Sequence, residues 1–115
     1  MNAFQIAKAW QEENSTRDFL ELCGHYLSHG ILHSTQDCFL AAMPVQWDPE
    51  TQRISWEGEP NAYFVELAAG TKTNPVREML RVAPRPLPFI LFCRGAFRLH
   101  AWEWNRLARK VGLNH

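Results

Sequence analysis

The sequence is short of several things, and each shortage removes a class of protein. Only three cysteines are present, Cys23, Cys38 and Cys93. They are odd in number, far apart and set among apolar neighbours, so neither a disulfide framework nor a zinc site of paired cysteines is expected, and all three are read as reduced. No apolar run approaches the roughly 20 residues a membrane helix needs, and "MNAFQIAKAW" lacks the basic-then-apolar layout of a signal peptide, so an intracellular, cytoplasmic protein is expected. Repeats, linkers and low-complexity tracts are missing too. So are a Walker loop, a dinucleotide glycine pattern and a serine hydrolase elbow. Basic side chains are scarce over residues 1 to 69, where Lys8, Arg17 and Arg53 stand against ten acidic residues.

What is there belongs to one folded domain. A chain of 115 residues is long enough for one core and too short for two. Hydrophobic residues at 46% and five tryptophans exclude disorder as the main state. The zero formal charge conceals an asymmetry, because residues 70 to 115 carry nine basic side chains against Glu78 and Glu103. The two parts therefore bear about −7 and +7. A basic half can serve a phosphate-bearing ligand or nucleic acid through its field, or the halves can pack together and neutralise each other.

Periodicity places the elements. Ala3, Ile6, Ala7 and Trp10 predict a helix over residues 2 to 13, with Asn2 as cap. Ser15 with Asp18 reads as a capping box for a second helix, whose stripe of Phe19, Leu20, Leu22, Cys23, Tyr26 and Leu27 ends at Gly30. "DCFLAAMPVQW", the turn "DPET" and "QRISWEG" form a hairpin over residues 37 to 57, with Pro44 favouring an edge or a bulge. "AYFVELAAG" is the third strand. Pro75 opens a helix with Val76, Met79, Leu80 and Ala83 buried, and Pro84, Pro86 and Pro88 forbid its continuation. "PFILFC" is apolar throughout, as a strand covered on both faces should be; "FRLHAW" alternates and joins it through a turn at Gly95. Trp104, Leu107, Ala108 and Val111 mark a short last helix closed by Gly112. The expected fold is α+β: a mostly antiparallel sheet of about five strands, two N-terminal helices, one central helix and a short C-terminal one.

The order helix, helix, strand, strand, strand, helix, strand over residues 2 to 94 resembles the acyl-CoA N-acyltransferase fold of the GNAT superfamily, in truncated form. The residues that carry the resemblance are the third strand and the loop after it, "AYFVELAAGTKTNPVREML". That family's loop usually carries a Gln or Arg and spaced glycines or alanines; here "AAGTKTNP" offers Gly70, Thr71, Lys72, Thr73 and the cap Asn74. The resemblance implies that acetyl-CoA or CoA would lay its pyrophosphate on the N–H groups of residues 71 to 76, with Lys72 and Arg77 adding charge and the helix dipole helping. It implies Glu66 as the base that takes a proton from an attacking amine. An ordinary strand-to-helix turn is the plain alternative for the same loop.

Other patterns lead elsewhere. The stretch "PRPLPFILFCRGAFRL" is similar to short proteins encoded by phages and prophage regions, which points to a non-enzymatic interaction or assembly protein whose partner is another protein. Trp102 and Trp104 interleave with Arg98, His100, Arg106 and Arg109, as stacking on single-stranded nucleic acid needs, but at unspecific spacing that leaves only Trp102 free. His25, His29 and His33 recur every fourth residue, yet a helix that ends at Gly30 breaks the row, so no metal is expected.

Overall fold

A computed structural model describes residues 1–72, 75–93 and 98–102. Three helices and six strands follow in the order α1 (Ala3–Asn14), α2 (Phe19–His29), β1 (Ile31–Ser34), β2 (Cys38–Asp48), β3 (Arg53–Ser55), β4 (Ala62–Gly70), α3 (Pro75–Val82), β5 (Phe89–Cys93) and β6 (Arg98–Trp102). Five strands lie side by side as β1-β2-β4-β5-β6, and β3 pairs with the far end of β2. All neighbours are antiparallel except β4 and β5, which run parallel through Tyr63 with Phe89 and Phe64 with Ile90. The fold is α+β with a mostly antiparallel sheet. The last helix expected around Trp104 to Gly112 and the turn at Gly95 lie outside the described residues.

The sheet is covered on both faces, which is why β2 and β4 are apolar almost throughout. On one face α1 and α2 meet Phe39, Ala41, Met43, Val45, Leu67 and Ile90. On the other, Met79 and Leu80 of α3 meet Leu40, Ala42, Tyr63, Val65 and Phe89. Phe89 and Ile90 thus face opposite layers from an interior strand, as continuous apolarity predicts. Phe4 of α1, Phe19 of α2 and Phe39 of β2 form an aromatic triangle with centroids 5.1, 6.0 and 5.5 Å apart. Each such ring contributes about 2–3 kcal/mol by leaving water.

Several local readings are corrected. Strand β1 was not expected, and it forms the long hairpin with β2; the expected pairing of residues 37 to 57 survives only as Gln46–Asp48 with β3. Pro44 lies on an interior strand, in the gap between Ala42, where β1 ends, and Gln46, where β3 begins. Its missing N–H therefore costs no ladder bond on that side. Asp18, not Ser15, caps α2 by accepting from the Leu20 N–H, and Ser15 ends α1. In α1 the small residues Ala3 and Ala7, with Gln11, lie on the sheet, leaving Trp10 43% exposed. In α2 only Phe19, Leu22 and Tyr26 are buried, while Leu20 and Leu27 are 65% and 71% exposed.

Cys23 and Cys38 are both free. Cys38 is buried on β2, and burial first, then the charge of Glu78, pushes its thiol up to about 11. Because an exposed thiol ionises near about 8.5, the folded state holds this proton more tightly than the unfolded one. Its contribution to stability is constant below about 8.5 and is lost as pH rises toward 11. Native protein at pH 8 should therefore leave Cys38 unlabelled by a bulky maleimide over hours, whereas denatured protein should label within minutes. Rapid native labelling followed by mass mapping to Cys38 would refute its placement.

Among the described residues, no helix is long and apolar enough to cross a membrane.

Candidate functional site

The site grows from an irregularity in β4. Against β2, Leu67 pairs with Ala41 and Val65 pairs with Ala42, so Glu66 is an extra residue between them, a β-bulge. Glu66 continues the face of Ala62 and Phe64 toward the layer of α1 and α2, and the bulge lets Leu67 face that same layer beside it. The Glu66 side chain is 29% exposed. There it lines a cavity of about 620 Å³ together with Arg17, Tyr26, His25 and His29. The rest of the lining is apolar: Met43, Pro44, Pro60 and Trp56.

Each wall has a local cause. Arg17 precedes the cap of α2, so its side chain leaves the helix start beside the cavity and reaches 3.9 Å from the Glu66 carboxylate. Tyr26 is on the buried stripe of α2. Burial first, then the charge of Glu66, raises its phenol above the ordinary range, with Arg17 acting the other way and a hydrogen bond toward Glu66 adding to the rise. The phenol therefore stays protonated and serves as a donor. Trp56 packs edge-on against Phe64 with centroids 6.3 Å apart, yet stays 62% exposed. The chain can turn back toward Pro60 because Gly58 adopts φ +92°, a conformation L side chains rarely enter.

The histidines are placed by the true axis of α2. With the stripe centred on Leu22 and Tyr26, His29 sits only about 60° around the helix from Tyr26, at 3.6 residues per turn. His29 and His25 both remain exposed, as ordinary surface histidines are, while lining the cavity. His25 and His29 stack with ring centroids 4.8 Å apart, and a His29 ring nitrogen lies 3.2 Å from the His25 carbonyl. His33 lies on β1 and meets a different group: its Nε2 is 3.0 Å from Glu78, which also accepts from Arg81 at 3.0 Å. That trio ties α3 to the sheet. Among the described residues, no three His, Cys, Asp or Glu side chains are grouped so as to hold a metal ion.

The residues proposed for the phosphate loop are distributed as follows. Gly70 ends β4 opposite Cys38. Thr71 donates its N–H to the Asp37 carbonyl at 2.9 Å and its hydroxyl to the Asp37 carboxylate at 3.0 Å. That N–H is thus engaged within the protein, beside a negative charge. Lys72 and Arg77 are exposed, and Thr73 and Asn74 lie outside the described residues. The loop and Glu66 belong to one strand, separated by about 13 Å at roughly 3.3 Å per residue. Among the described residues, one Arg or Lys ion pair joins the acidic and basic parts of the chain, Arg85 with Glu59 at 3.6 Å. Both side chains are largely exposed, so mutual neutralisation of the halves is not achieved by the pairs described.

Sequence reasoning identified Glu66 but missed Arg17, Tyr26 and the two histidines. The signal that finds them is the spacing Phe19, Leu22, Tyr26, which fixes the buried axis of α2 when Leu20 and Leu27 are set aside. Comparison with family models, with curated proteins and with solved structures finds no match to this chain.

Proposed function

We propose that this chain is a small N-acyltransferase-like domain that binds an acyl-CoA, or a similar phosphate-bearing ligand, and presents an amine to it in the cavity at Glu66. The observation that carries the reading is the Glu66 carboxylate itself, set beside a β-bulge of β4 and against Arg17 and the Tyr26 phenol in that cavity. Bulges of this kind are concentrated beside active sites. The parallel step from β4 through α3 to β5 supports it too, since the start of α3 then offers backbone donors at the end of the same strand.

In this reading Lys72 and Arg77 attract the phosphates, and a long cofactor arm runs back along β4 toward Glu66. The amine nitrogen attacks the thioester carbonyl carbon, Glu66 takes the proton that the nitrogen loses, the new C–N bond forms and the C–S bond breaks. The thiolate leaves and is protonated from solvent. Tyr26 is a positioning residue, holding the carboxylate toward the cavity.

Titration calorimetry with coenzyme A tests the cofactor part. Lys72→Glu should weaken binding by roughly one to three kcal/mol, the loss of a charge-assisted contact plus repulsion, and leave the melting temperature of the free protein unchanged because Lys72 is exposed. A ligand at about 100 times its dissociation constant should add about 2.7 kcal/mol to wild-type stability. No heat and no melting shift with millimolar coenzyme A would overturn the enzyme reading.

A second reading, a non-enzymatic interaction or assembly protein, is favoured by Leu20 and Leu27, seven residues apart on α2 and both more than half exposed. It takes precedence if coenzyme A fails to bind.

A further inference from the structure

The polar end of the cavity carries one full positive and one full negative charge, and this pairing narrows the ligand. Arg17 and Glu66 stand 3.9 Å apart, at the outer limit of an ion pair and well beyond the roughly 2.7–2.9 Å of a charge-assisted hydrogen bond. Their side chains are 40% and 29% exposed, so the contact holds little and opens readily. A ligand with a single charge would satisfy one of them and crowd the other. A ligand with an ammonium and a carboxylate on neighbouring atoms satisfies both at once.

We propose that the cavity binds a free α-amino acid with an apolar side chain, its ammonium on Glu66 and its carboxylate on Arg17. The proposal deepens the reading of the cavity as the acyl-acceptor site and rests on it for its chemistry. The side chain has matching apolar surface, since Met43, Pro44, Trp56 and Pro60 also line the cavity. The volume of about 620 Å³ exceeds what the ammonium and carboxylate occupy and leaves room for a large apolar side chain. The Tyr26 phenol spends its one O–H on Glu66 and so holds that carboxylate in place for the ammonium. The recognised class is therefore an α-amino acid of the leucine, methionine or phenylalanine kind, acylated at its own amine if the acyltransferase reading is right.

Calorimetry on the full chain with L-leucine, N-acetyl-L-leucine and L-leucinamide, without cofactor, tests the charge pairing. L-Leucine should bind at least tenfold more tightly than either probe, because N-acetylation removes the ammonium and the amide removes the carboxylate. Arg17→Met should abolish the preference for leucine over leucinamide, and Glu66→Gln the preference for leucine over N-acetyl-leucine, with melting curves confirming that both variants fold. Equal binding of the three compounds, or coenzyme A binding without any of them, overturns the amino-acid proposal and leaves the cofactor reading standing. Leucine binding with no coenzyme A binding supports the site and overturns the transferase reading.

Discussion

Gly30→Ala is expected to destabilise the protein by about 3 kcal/mol, near the upper end of the cost of overpacking a tight site. Gly30 closes α2 by donating its N–H to the Tyr26 carbonyl at 2.9 Å, and the chain enters β1 at the next residue. Its backbone has no need of glycine for conformational freedom, since φ is −139°. The constraint is space. A Cβ here would overlap the Ala42 carbonyl oxygen and stand 3.1 Å from the Met43 sulfur and 3.3 Å from the Met43 Cα. The first obstacle is backbone of the interior strand β2, so relief requires the α2–β1 junction to lift from the sheet, straining the pairing of Ile31 with Ala42. Urea unfolding should show the lower midpoint. Gly24→Ala supplies the control, because a Cβ there meets nothing within 4 Å in mid-helix and should stabilise by roughly 0.5–1 kcal/mol. A midpoint unchanged in Gly30→Ala would show that α2 and β2 do not approach so closely.

Glu66→Gln is expected to reduce acyl transfer from acetyl-CoA to an amine by about 10²- to 10⁴-fold in kcat, the usual contribution of a positioned general base. The substitution keeps the volume and a hydrogen-bonding oxygen and removes the negative charge and with it the ability to accept a proton. Arg17 loses its partner but is 40% exposed, so water replaces the carboxylate at little cost to folding. Coenzyme A affinity should stay within about twofold of wild type, since the residue lies about 13 Å along β4 from the loop at Gly70. A variant that folds, binds coenzyme A and retains turnover within about threefold would remove Glu66 from the chemistry. A drop in kcat without a change in cofactor affinity separates proton transfer from binding.

How much of this was legible in the sequence depended on whether the cause lay within a segment. Strand β4 was read at its observed limits because "AYFVELAAG" is a β-rich run ending at a glycine, and α3 was read to within a residue because Pro75 and the proline series beyond it act locally. Glu66 stood out as the one acidic residue in an apolar strand. Its neighbours did not, because Arg17 and Tyr26 reach it from a distant part of the chain and the bulge beside it is a mismatch between Val65–Leu67 and Ala41–Ala42 on another strand. Strand β1 escaped notice because "ILHS" has no strong pattern of its own, and it is a strand because β2 offers it a ladder. The stripe of α2 was drawn too wide, since leucines at 20 and 27 satisfy helical spacing whether or not a sheet lies beneath them.

By itself, then, the sequence determined the α+β class, the helix starts at Asn2 and Pro75 and the apolarity of the interior strands. It did so through effects acting within a few residues: caps, prolines and the periods of 3.6 and 2. The tertiary structure decided which face of α2 is buried, which way Glu66 points and that Arg17, Tyr26 and Glu66 share one cavity. Those outcomes depend on register and on contacts between residues some 40 to 50 positions apart, where burial against a partner strand or helix overrides what the local pattern alone can specify.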